Sequence, residues 1–259
     1  MLSDVIDRYS CDRQTVSDMV VKASVTGSAI EGTCNGLENA PSGMTVRTDL
    51  NEELPVTLLP EIECQMRVQL QSKLPRRLWK RTLDLAMDFH DEPFYGKDPT
   101  LCAYACRWEA HQGTTWFYRV ATVYVIHHKI PYTLGIVFLL PEYTVLEVLK
   151  ALLVQINRLE LSIRSLCLDK GFRCQPVISF LMDEPYETLI ACPIGGKKGG
   201  TRSLCKGRES YFMDYTFNAG KPAAYTVRLA VVSTYKKHHG KRHTVWLLYV
   251  LIHVSTKNL

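Results

Sequence analysis

Two apolar segments that each deliver a carboxylate constrain this chain more than any other feature. One is Leu83-Asp84-Leu85-Ala86-Met87-Asp88-Phe89, the other Leu161–Leu168 followed by Asp169, and about 80 residues separate the two aspartates. Both segments are short, apolar and rich in strand-forming residues, so each is predicted to be a β-strand ending at or near an acid. Between them, 114–127 and 132–140 are dense in β-branched and aromatic residues and read as a hairpin turning through 129–131. Residues 142–159 follow, with Val145, Leu149, Leu152, Ile156 and Leu159 on one stripe of a helix.

Strand with acid, two strands, helix, strand with acid is the wiring of a ribonuclease H-like core. In such a core, carboxylates on adjacent parallel strands converge on divalent ions that cleave or join phosphodiesters. A short helix at 175–182 and a strand at 188–193 continue it. Three more strands are predicted at 210–217, 224–234 and 244–254, a β-rich insertion covering about 209–254. The predicted fold class is therefore α/β: a ribonuclease H-like core at 83–259 with this insertion, preceded by a small all-α region.

That region, 1–60, reads as short helices. Ile30, Cys34 and Leu37 recur at helical spacing, Pro41 breaks the run, and Ser42 can cap a new helix through Leu50. Helix, tight turn, helix is a DNA-reading plan, with Thr45, Arg47 and Thr48 as candidate contacts, and a purely supporting bundle is the competing reading. Residues 61–82 read as a connecting helix ending in Lys73, Arg76, Arg77, Lys80 and Arg81, placed to grip a phosphate backbone beside the first strand.

Charge supports a polyanionic partner. Residues 1–70 hold eleven acids and five bases, so within a net charge of +5 the remainder carries +11. Lys197 and Lys198 lie in a glycine-rich loop, and Lys236, Lys237, Lys241 and Arg242 crowd a segment joining the last two strands. Phosphate contact is one reading of that cluster and a solvated hairpin tip is the other. Nine cysteines without a Cys-x-x-Cys pair, and no leader before Met1-Leu2-Ser3, imply free thiols in a reducing cytoplasm. The longest apolar runs are too short to span a bilayer.

The segments Leu85-Ala86-Met87-Asp88-Phe89-His90-Asp91-Glu92-Pro93-Phe94-Tyr95-Gly96, Trp116-Phe117-Tyr118-Arg119-Val120-Ala121 and Leu168-Asp169-Lys170-Gly171-Phe172 resemble the DDE transposases of prokaryotic insertion sequences. The likeness is to the insertion sequence four-like superfamily, in its archaeal and cyanobacterial branch, and it covers nearly the whole chain. It implies metal-dependent hydrolysis at transposon ends, then attack of the freed 3′-hydroxyl on target DNA. Two Mg²⁺ (or Mn²⁺) ions held by two aspartates and a glutamate are implied, as is a homodimer on DNA. By motif match Asp88 and Asp169 take the aspartate roles as catalytic residues and metal ligands, and Lys170 is a candidate DNA contact.

In that family the glutamate lies on a helix after the insertion, whereas this sequence stops at Ser255-Thr256-Lys257-Asn258-Leu259. The expectation is thus a C-terminally shortened, catalytically defective chain. A non-catalytic DNA-binding protein and a ribonuclease H-like nuclease unrelated to mobile elements are the competing functions. Asp84 and Asp91 compete with Asp88 for the metal role, and His90 and Asp91 are expected in the loop after the first strand.

Overall fold

The computed structural model describes residues 13–37, 40–53, 55–126, 131–196, 200–238 and 241–255. It divides into two compact units, Met1–Ile62 and Glu63–Leu259. In the first, α1 (Arg13–Thr26), α2 (Ile30–Asn35) and α3 (Gly43–Glu53) touch pairwise. Ser42 caps α3, its Oγ accepting from the Thr45 amide at 3.0 Å. Seven residues, Gly36 to Ser42, connect α2 to α3 where the tight turn is expected. Two of them, Glu38 and Asn39, lie outside the described residues.

The next helix, α4, spans Leu59–Ser72. The helix expected to run to residue 81 stops there: Pro75 cannot continue it, and Arg76–Lys80 form a separate 3-10 turn. The second unit then runs β1 (Leu83–Pro93), α5 (Pro99–Cys102), β2 (Cys106–His111), β3 (Thr114–Val125), β4 (Tyr132–Leu139), α6 (Val145–Asn157), β5 (Ile163–Leu168), α7 (Gln175–Met182), β6 (Glu187–Cys192), β7 (Tyr211–Phe217), β8 (Tyr225–His238) and β9 (Lys241–Ile252). No described helix is long and apolar enough to cross a membrane.

Among the described residues nine strands join one sheet, ordered β2-β3-β1-β5-β6-β9-β8-β7, with β4 also on β3. Within it the order β4-β3-β1-β5-β6 has β1, β5 and β6 parallel and β3 antiparallel to both β1 and β4. This is the ribonuclease H-like arrangement. Two parallel neighbours need crossovers, and α6 and α7 supply them. The β-rich insertion is not a separate layer, because β9 pairs with β6 from Thr188↔Ile252 to Cys192↔Leu248 and carries the core sheet outward.

Local chemistry fixes the crossover helix. Thr144-Val145-Leu146-Glu147 forms a capping box: the Thr144 hydroxyl accepts from the Glu147 amide at 3.2 Å and Glu147 accepts from the Thr144 amide at 2.8 Å. Val148, Leu149, Leu152, Leu153 and Ile156 of α6 are buried in one cluster with Leu85, Met87, Leu166, Leu168 and Ile190 of the sheet. Each such side chain contributes roughly 1.5–3 kcal/mol on leaving water. The outer edge of β4 is closed by side chains. Gln155 accepts from the Ile136 amide at 3.0 Å and donates to its carbonyl at 2.9 Å, while Gln71 and Glu63 reach Leu134 and Phe138. A Cβ on Gly135 would stand 2.5 Å from the Gln155 carbonyl oxygen, so glycine is what admits this side chain. Edge groups satisfied in this way cannot template a foreign strand.

Candidate functional site: a carboxylate pair on the open face of the sheet

Along β1, alternation sends Leu83, Leu85 and Met87 into the core and Asp84, Ala86 and Asp88 to the opposite, half-buried face. On β5, Met87 is in register with Leu168, and the Asp169 amide donates to the Met87 carbonyl at 3.0 Å. That bond carries the pairing one step past the end of β5, so Asp88 on β1 and Asp169, the residue after β5, hold neighbouring positions, and alternation from the inward Met87 and Leu168 puts them on the same face. Strand spacing puts their backbones about 5 Å apart. Asp169 also caps the following turn, one oxygen accepting from the Gly171 amide at 3.2 Å, and Asp88 accepts from the Phe89 amide at 2.8 Å. Each carboxylate keeps an oxygen outside these bonds.

The surroundings tie the two acids together. Phe89, next to Asp88, stacks on Phe172, three residues past Asp169, with ring centroids 4.3 Å apart. A Cβ on Gly171 would stand 2.6 Å from the Phe89 ring, so glycine allows this approach. Arg119, only 6% exposed, lies over Phe89 at 4.9 Å and over Trp108 at 3.9 Å, and its Nε donates to Asp91 at 2.6 Å. A buried guanidinium requires such a partner.

Two expectations are corrected here. Strand β1 runs on to Pro93, so His90 and Asp91 lie in it and not in a loop. Asp91 is the partner of a buried cation. His90 shares the face of Asp88 and sits 3.1 Å (Nε2 to Oγ1) from Thr122, which stands directly across from Asp88 on β3. Asp84, four residues upstream, is held by Arg164, which contacts both of its oxygens, and by the Ser165 hydroxyl at 2.6 Å. The Arg164 guanidinium holds this carboxyl below the usual range. A cleft of about 420 Å³ opens beside it, lined in part by Ile126, Arg164, Cys167, Glu187 and Leu189.

Lys170, exposed and next to Asp169, is brought to the carboxylate pair by its place in the chain. Lys73, Arg76, Arg77, Lys80 and Arg81 are exposed but precede the start of β1, about 17 Å along the strand from Asp88 at strand rise. Arg77 donates to the Tyr132 hydroxyl at 2.6 Å. Arg47 is paired with Glu31 on the surface of the first unit at 2.6 Å. Lys236, Lys237 and Arg242 are exposed, and they belong to β8 and β9 themselves instead of a loop between them. Lys197, Lys198 and the side chain of Lys241 lie outside the described residues.

Sequence reasoning missed Arg119, Phe172 and Gly171 as parts of this site. For Arg119 a signal existed: it occupies an inward position between Phe117 and Ala121 in a strand of alternating burial, and an inward cation demands an acid across the sheet. Among the described residues no group of three His, Cys, Asp or Glu side chains is arranged to hold a metal ion. The pair alone is a hard, all-oxygen donor set. It suits one Mg²⁺, which is commonly held by one or two carboxylates with water and substrate phosphate completing the shell.

No protein-family model matches the chain, and no curated protein does. Among solved structures it is similar to the cryo-EM structure of the piggyBac transposase synaptic complex with hairpin DNA, with TM-score 0.45 and 16% identity over 80% of this chain. The match spans 40% of that chain's length.

Proposed function

We propose that this chain binds DNA and engages a phosphodiester at Asp88 and Asp169 in the manner of a DNA transposase. The observation that carries the reading is the register: Asp88 on β1 beside Asp169 at the end of the neighbouring parallel strand β5, in the ribonuclease H-like strand order. The sequence resemblance to DDE transposases adds the class of reaction, hydrolysis and strand transfer at insertion-sequence ends. In this reading Asp88 and Asp169 hold one Mg²⁺ between them, positioned by the Phe89–Phe172 stack and by Thr122. The chemistry such an ion supplies when bound is polarisation of a phosphoryl oxygen and acidification of water. Lys170 neutralises phosphate charge beside the pair.

A second reading, DNA binding without catalysis, is favoured by one observation: among the described residues no third ligand joins the pair. One experiment addresses both. Mn²⁺ is titrated into the full chain and followed by electron paramagnetic resonance, and nicking of end-bearing duplex is assayed with Mg²⁺. The expected result is one Mn²⁺ bound, lost in Asp88→Asn and in Asp169→Asn, with slow nicking lost in the same variants. Mn²⁺ binding that both variants retain would remove the metal assignment. Binding without nicking would select the second reading.

A further inference from the structure

Strand pairing around β8 and β9 ends before the strands do. β7 accompanies β8 as far as Val231 and β6 accompanies β9 as far as Leu248, yet β8 and β9 go on pairing through seven more positions, from Val232↔Leu247 to His238↔Lys241. At strand rise this is a two-stranded ribbon about 20 Å long beyond the sheet. Inside the sheet Leu229, Ala230 and Val231 are buried in succession, but here Tyr235, Lys236 and Lys237 are exposed in succession, as are Arg242, His243 and Thr244 opposite. Both faces of the outer half of the ribbon therefore meet solvent, while its inner half, with Trp246 packed against the core, adjoins the sheet.

Its charge is of one sign. No Asp or Glu follows Asp214 in the sequence. The register sets Lys237 opposite Arg242 on one face and Lys236 opposite His243 on the other, and the Arg242 guanidinium lies 5.9 Å from the Tyr235 ring. Its position is equally specific. Leu168 is level with Ile190 and Ile190 with Val250, so the ribbon leaves the same end of the sheet at which Asp169 sits, two strands away. That is about 10 Å to the side.

A bare ribbon invites pairing with another strand, but lysines along its edges oppose a second copy of a like-charged strand. A polyanion with a groove suits it. The major groove of B-DNA is about 12 Å wide and admits a two-stranded β-ribbon, with cations on both faces able to reach both phosphate walls. We propose that the β8–β9 ribbon enters the major groove of double-stranded DNA and so presents the duplex, not a single strand, to the carboxylate pair. This rests on the reading of DNA as the substrate and adds its form and the element that grips it.

The test is fluorescence anisotropy of the full chain in EDTA, so that metal chemistry plays no part. A labelled duplex and its single strand are compared at several salt concentrations, for the native chain and for Lys236→Ala/Lys237→Ala/Arg242→Ala. Three lost phosphate contacts should flatten the slope of log affinity against log salt by about 2.7 and weaken duplex binding by tenfold or more. Single-strand binding should change less than twofold, and methyl green, a major-groove ligand, should displace the chain where netropsin does not. Melting temperature should be unchanged, since the substituted side chains are exposed. Equal losses on duplex and single strand, displacement by netropsin alone, an unchanged duplex slope, or a change in oligomeric state in place of a binding change would each overturn the proposal. Should the slope stay unchanged while Asp88-dependent nicking persists, the ribbon assignment fails and the proposed function stands.

Discussion

The acids of β1 have different roles because each meets a different neighbour. Asp84 faces Arg164 and Ser165, Asp91 faces buried Arg119, and Asp88 stands across from Thr122 on β3 and next to the position of Asp169. The Asp91–Arg119 pair is 18% and 6% exposed, so losing one partner strands a charge. Arg119→Met should cost about 3–5 kcal/mol in chemical denaturation, and adding Asp91→Leu should recover most of it, because a buried pair is often replaceable by apolar residues. Failure of the double variant to recover would mean that Arg119 is needed for its stacking on Trp108 and Phe89. Asp84 carries a pH signature. Its folded pKa is depressed by Arg164, so the pair's stabilisation is present above the ordinary carboxylate pKa and is lost as pH falls through the folded value. Melting temperature measured from pH 6 downward should therefore fall less steeply for Asp84→Asn than for the native chain below about pH 4, and parallel curves would remove the assignment.

At the scale of elements, the capping box ahead of α6 is a sequence pattern with a measurable consequence. Thr144→Ala should destabilise the second unit by about 1 kcal/mol, and Thr144→Ser should not. Such patterns are also where the fold was most legible. The stripe on α6, the apolar strands β1, β5 and β6 and the hairpin of β3 and β4 follow from periodicity, because each buries one face against one core. Strand β2 was invisible for the converse reason: of its six residues only Cys106 is buried, so no alternation appears in Cys106–His111. At the ends of β1, β8 and β9 the sequence departs from the structure, because the polar run His90-Asp91-Glu92 and the Lys–His cluster read as loop. The ion pair of Arg119 with the opposite Asp91 and the backbone ladder that continues through Lys237 and Arg242 make them strand, and neither partner is adjacent in sequence. The same holds for the site. Each aspartate was legible as an acid on an apolar strand, whereas the stack of Phe89 on Phe172 and the glycine that admits it depend on a register that only the fold supplies.

Across the second unit, cationic side chains mark both ends of the strand axis. The Arg76–Arg81 segment precedes β1, and the β8–β9 ribbon leaves the opposite end. Counting register steps from Leu83 through Asp88 and Asp169 to the ribbon end at Lys241 gives roughly 40 Å at strand rise. Duplex DNA carries a phosphate per strand every 3.4 Å, so about 12 base pairs cover that distance. A 20-base-pair duplex can therefore touch both cationic surfaces at once, and an 8-base-pair duplex only one. On the longer duplex, Arg76→Ala/Lys80→Ala/Arg81→Ala and the ribbon variant should each flatten the salt slope, and their combination should flatten it by the sum, since sites this far apart act independently. On the shorter duplex the two losses should not add, because no single bound molecule reaches both ends. Salt titrations by anisotropy on the two lengths separate the cases: equal additivity at both lengths would mean that the two surfaces hold separate DNA molecules, not one duplex laid along the strands past Asp88 and Asp169.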